Sequence, residues 1–217
     1  MGKTKKPRFP NACRGIRKIY TGVILLLISA LCFVGYYVLI LTLTKEMQQT
    51  TAASLAALAL VLLVIFLILI VVALIFYLVG LVQASKDEPK FKQAIIFMTV
   101  VLGLAFLSRF FNETLRPFLS IVAAVLGLLT SVFVLRGIIS LADQLGEAAV
   151  AGKAHKLIVL MVAASCVSLL VSLLNRFAPM NSLATILRVL SIALACAAVV
   201  EVVLYLSLLS KTKKMLQ

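Results

Sequence analysis

Residues 52–83 read AASLAALALVLLVIFLILIVVALIFYLVGLVQ, with no charge and no proline. A helix crosses a bilayer core of about 30 Å with about 20 apolar residues. This run is longer, and it is apolar on every face. It therefore lacks the wet side that a surface helix of a soluble protein must keep.

The rest of the chain repeats the pattern between short charged connections. Of the 217 residues, 64% are hydrophobic, and the mean hydropathy is +1.20. Soluble domains are about 45–50% apolar, so the solvent for this excess is lipid. Six spans are predicted, at 20–43, 54–82, 93–111, 117–140, 157–175 and 183–209. The fold class is all-α and polytopic. The expected organisation is a basic segment 1–19, a six-helix domain 20–209 and a basic tail 210–217. The first apolar run is too long for a signal-peptide core and is read as a retained span.

Net charge is +14, from 21 Lys and Arg against 7 Asp and Glu. In a soluble chain such an excess points to nucleic acid. Here the basic residues flank apolar runs, which points to membrane topology and anionic headgroups instead. Lys3, Lys5, Lys6, Arg8, Arg14, Arg17 and Lys18 precede the first span. Lys86, Lys90, Lys92, Arg136, Lys153, Lys156, Lys211, Lys213 and Lys214 fall on the same side of the predicted membrane. Only Lys45, Arg109, Arg116, Arg176 and Arg188 fall on the other. By the positive-inside rule both termini are cytoplasmic, and a bacterial cytoplasmic membrane is expected. Tyr20, Tyr77 and Tyr205 are expected as aromatic anchors at that interface.

The spans also repeat. FYLVGLVQAS at 76–85 matches FVLRGIISLA at 133–142, aligning Gly80 with Gly137. VLYLSLLSK at 203–211 echoes both without the glycine. The basic stretches CRGIRKI, KFKQAI and KAHKLI lead into spans one, three and five. The unit is a helical hairpin of roughly 60 residues, used three times in one orientation. In this layout of six spans, short loops and a glycine near a hairpin end, the chain resembles the small HdeD-like bacterial membrane proteins. The resemblance is architectural and carries over no site residue and no role.

Glu201 is the sharpest single residue, an acid inside SIALACAAVVEVVLYLSLL. It lies about eight residues from the predicted cytoplasmic end, roughly 12 Å deep. A charge there costs several kcal/mol unless it is paired or wet. It is read either as a cation or proton site, or as a neutral acid hydrogen-bonded to a neighbouring helix. Arg188 is the other candidate on the same span. It is about 20 Å away along the axis, too far to pair within one helix. Arg109 and Glu113 are spaced for a local ion pair.

Small residues at four-residue spacing mark candidate close helix contacts: Ala123 with Gly127, Ala193 with Ala197, and Ala164 with Ser168 and Ser172. Residues 138–156 carry an apolar face of Ile138, Leu141, Ala142, Leu145 and Ala149. They are read as an interfacial or partner-binding helix, or as an extension of span four ending near Gly152. Cys13, Cys32, Cys166 and Cys196 form no CxxC pair, and His155 has no second histidine. No phosphate loop, HExxH or GxSxG occurs, so neither enzyme activity nor a cofactor is expected. The expected role is structural, accessory or ligand-binding. The alternative is a small-molecule or ion transporter, or its membrane subunit, using Glu201. Expected partners are the bilayer with its anionic headgroups and, where the protein assembles, a second copy or a membrane partner subunit. Nucleic acid is not expected.

Overall fold

The structure, a computed structural model, describes residues 9–43, 49–110, 115–177 and 181–216. Within these ranges the side chains of 43, 49–53, 116–117, 174–177 and 181–188 are left out. The described chain is all helical: α1 Pro10–Leu43, α2 Gln49–Ala84, α3 Lys90–Leu107, α4 Arg116–Leu145, α5 Ala148–Phe177 and α6 Asn181–Met215. All six are long and apolar enough to cross a membrane. Large apolar side chains such as Leu60, Ile96, Val159 and Val199 stand exposed around the bundle. A water-soluble monomer exposes only small apolar patches, so this circumference fits a lipid solvent.

The helices overrun the predicted spans at the basic end. The 34 residues of α1 reach about 51 Å at 1.5 Å per residue. Residues 10–19 continue α1 and residues 210–215 continue α6 as helix. At the opposite end α3 stops at Leu107, short of the predicted 111.

Local chemistry explains these ends. Pro10 opens α1, where a missing N–H costs nothing. The cap comes from a distant residue. Asp87, in the turn between α2 and α3, accepts from Ala12 N at 2.7 Å and from Asn11 Nδ2 at 2.8 Å. A carboxylate there satisfies an orphan N–H and complements the helix dipole. Its neighbour Glu88 is buried and accepts from the Ser140 hydroxyl at 3.1 Å. One acidic turn thus ties α1 and α4 to the α2–α3 corner.

Between α4 and α5 neither expectation holds as stated: α4 extends only to Leu145, not to near Gly152, and the residues from Ala148 onward already belong to α5. Gly146 has φ 75°, a left-handed conformation open to glycine at little cost. Glu147 N donates to Ala142 O at 2.9 Å and Gly146 N to Asp143 O at 3.2 Å. That pair of bonds is the Schellman stop. Of the expected apolar face, Ile138, Leu141 and Ala142 are fully buried, Leu145 is partly buried, and Ala149 is exposed on α5.

The core gathers at the basic end of the bundle. Its buried residues come from the starts of α1, α3 and α5 and the ends of α2, α4 and α6, including Ile16, Leu81, Phe91, Ile138, Leu157 and Leu209. Both ends of the described chain lie there. Lys213 Nζ sits 5.9 Å from the centre of the Tyr20 ring, joining the tail of α6 to α1.

α1 packs most extensively against α2, α3 against α4, and α6 returns to α1. The α1–α2 seam is a stripe of small residues. A Cβ on Gly80 would lie 2.7 Å from the Gly15 carbonyl oxygen and 2.8 Å from the Ile19 nitrogen. One on Gly15 would lie 2.6 Å from the Ala84 nitrogen. Gly22 meets Ala73 and Tyr77 backbone at 3.0 Å, and Ser29 and Ala59 are buried further along. Gly15, Gly22 and Ser29 are spaced by seven, as are Ala73 and Gly80. Two helices with a seven-residue repeat keep facing each other over several turns, and small residues let their backbones approach in lipid.

Candidate functional site

Glu201 lies on α6, 14 residues before Met215. Because α6 runs past the predicted span, the carboxyl is about 21 Å of helix from the end of α6. It borders a cavity of about 280 Å³ to which every helix contributes. Leu26 comes from α1, Tyr77 from α2, Met98 from α3, Thr130 and Ser131 from α4, Met161 from α5 and Tyr205 from α6.

The polar atoms around this cavity are few. The Thr130 hydroxyl donates to Leu126 O at 2.9 Å and the Ser131 hydroxyl to Gly127 O at 3.3 Å. Both spend their proton on their own helix and keep oxygen lone pairs free. Among the described residues, Glu201 Oε1 at this cavity and Gln83 Oε1 elsewhere are buried carboxyl and amide oxygens without a hydrogen-bond partner. The Tyr205 and Tyr77 hydroxyls lie close to each other. Buried polar atoms in proteins are nearly always satisfied, so Glu201 Oε1 is an acceptor whose partner the fold does not supply.

Tyr77 is 8% exposed, and Tyr205 packs partly buried against the same core, so both rings face neighbouring helices.

Glu201 also borders a smaller space of about 160 Å³ between α5 and α6, beside Ser165 and Ser168. The same serines line a cleft of about 320 Å³ between α4 and α5, with Ser120 and Ser172. Glu201 thus borders the six-helix cavity and the small serine-lined space between α5 and α6.

The other candidates scatter. Gly80 and Gly137 lie at the core end, each against the preceding helix. A Cβ on Gly137 would lie 2.7 Å from the Phe91 ring. Gly127 borders the cavity, and no atom lies within 4 Å of its would-be Cβ. Ala123 and Ala197 are half-buried and Ala193 is exposed. The Arg188 side chain and Glu113 lie outside the described residues, and with them the Arg109–Glu113 pair. His155 is exposed on α5, and the four cysteines are free thiols.

Gly15, Gly22, Tyr77 and Tyr205 are the residues whose roles were not read from sequence. The seven-residue spacing of small residues could have found the two glycines.

Fold and composition define a multi-pass helical membrane protein. Comparison with protein-family models, curated proteins and solved structures finds no match to this chain. The layout shared with HdeD-like proteins accordingly assigns no family.

Proposed function

We propose that this is a ligand-binding protein of the bacterial cytoplasmic membrane, without catalytic machinery, whose intramembrane cavity holds a small organic cation against Glu201. The observation that carries the reading is the orphan Glu201 oxygen at the wall of the six-helix cavity. Tyr77, Tyr205, Met98 and Met161 supply an apolar and polarisable wall. Tyrosine faces attract cations in desolvated sites, and methionine adapts to irregular apolar shapes. A carboxylate needs such a cation most where water is scarce.

In this reading the chain is three parallel hairpins with both termini cytoplasmic. The basic bias supports the orientation. In support of the repeat, Gly80 receives α1 and Gly137 receives α3, each from its own hairpin. Transport is the second reading. It is favoured by the small serine-lined space that Glu201 borders beside the six-helix cavity.

Equilibrium binding of radiolabelled benzylamine to the detergent-solubilised full chain tests the proposal. Glu201→Gln should keep its fold and lose binding by about ten-fold or more, the loss of one charged hydrogen bond. Equal binding by both proteins would refute it.

A further inference from the structure

At the basic end, α5 and α6 enclose a cleft of about 360 Å³ that does not touch Glu201. One wall is Lys153, Leu157 and Leu160, spaced i, i+4 and i+7 on α5. The other is Leu204, Leu208 and Lys211, spaced likewise on α6. The helices run antiparallel, so Lys153 faces Lys211, Leu157 faces Leu208 and Leu160 faces Leu204. Lys156 and Ser207 complete the rim.

Two features of this cleft ask for an occupant. Lys153 and Lys211 stand opposite one another at the mouth of the cleft, both exposed, and no carboxylate lines the cleft among the described residues. Such a pair is repulsive, and an anion between the ammonium groups converts it into two charge-assisted contacts. Below the lysines the cleft turns apolar. Leu157 and Leu208 form a buried floor, while Leu160 and Leu204 are 40% and 44% exposed.

We propose that this cleft binds one anionic phospholipid, its phosphate held between Lys153 and Lys211 with Lys156 at the rim and an acyl chain lying against Leu160 and Leu204. The apolar continuation favours a lipid over a free phosphate, since a soluble anion gains nothing from leucines. Lysine is suited to the task as a point-charge phosphate binder, and its stem lies comfortably along apolar surface while its head stays at the interface. The site is independent of the cation cavity and stands or falls without it.

The test is thermal unfolding of the purified full chain in a mild non-ionic detergent, titrated with dioleoylphosphatidylglycerol. Dioleoylphosphatidylcholine and inorganic phosphate are run in parallel. A ligand that binds only the folded state raises its unfolding temperature. Phosphatidylglycerol should stabilise the protein saturably, and the other two should not. The double variant Lys153→Gln, Lys211→Gln should lose at least ten-fold in apparent affinity. Without lipid it should unfold no earlier than the parent, because a repulsion has been removed. Lys214→Gln, an exposed lysine outside the cleft, should bind as the parent does. Leu204→Trp should weaken the lipid response by crowding the chain path. Equal stabilisation by inorganic phosphate would reassign the cleft to a soluble anion and overturn the lipid. Equal loss in Lys214→Gln would reduce the effect to general basic charge and overturn the site. Retained affinity in the double variant would overturn it as well.

Discussion

Replacing Gly80 by alanine adds one methyl group at the tightest described crossing of α1 and α2. In a helix interior, Gly→Ala ordinarily gains about 1 kcal/mol in propensity. Here the new carbon would lie 2.7 Å from the Gly15 carbonyl oxygen and 2.8 Å from the Ile19 nitrogen. Ordinary contact begins near 3.4 Å. The Ile19 Cγ1 at 2.7 Å could shift, but the other two obstructing atoms are backbone, so no rotamer change relieves them and the helices must separate. Overpacking of this kind costs about 1–3 kcal/mol and occasionally more. The net expectation is a loss of about 0–2 kcal/mol, at about 2–4 °C per kcal/mol for a chain of this size, and so about 1–3 kcal/mol below a glycine-to-alanine change that meets no obstruction. Gly103 on α3 is the internal control, because no atom lies within 4 Å of its would-be Cβ. Gly103→Ala should be neutral or stabilising. Thermal unfolding followed by circular dichroism in detergent reads both. A Gly80→Ala protein as stable as Gly103→Ala would refute the close-crossing account of the α1–α2 hairpin.

Further outcomes follow from the turns and the topology. Asp87→Ala should destabilise by about 1 kcal/mol, the usual value of a lost helix cap, with Asp87→Asn losing less. Unfolding of all three proteins under one condition checks the order. Gly146→Ala should cost about 1–2 kcal/mol, the penalty of a left-handed residue with a Cβ, and Gly146→Asn should cost less. Thiol labelling of Thr50→Cys and Lys213→Cys in a cysteine-free background should report opposite sides of the membrane. Labelling of both from one side would contradict the six-span topology.

Much of this fold was legible because lipid imposes a coarse rule. Every backbone polar group must be satisfied within its own helix, so uninterrupted apolar length marks each span. The rule fails at the basic end, where polar residues join helices without interrupting them. That is why α5 begins at Ala148 rather than near 157. Glu201 was legible as a lone acid among apolar residues. Its neighbours Tyr77, Met98, Thr130 and Met161 come from four other helices, and only packing brings them together. The α1–α2 seam was hidden for another reason: its small residues recur every seven positions rather than every four. The corner role of Asp87 had no local sign at all, since its partners lie 75 and 76 residues away.

The cation site proposed at Glu201 requires a reactive carboxyl facing the cavity that it borders. The most direct measurement is modification by dicyclohexylcarbodiimide, an apolar carbodiimide to which a protonated carboxyl adds; the O-acylisourea so formed rearranges to a stable N-acylurea, read by peptide mass spectrometry after labelling of the intact purified chain. Labelling at Glu201 is expected, and saturating benzyltrimethylammonium, a cation with no nucleophilic nitrogen, should suppress it. An unlabelled Glu201, or one labelled at the same rate with the cation present, would overturn the site.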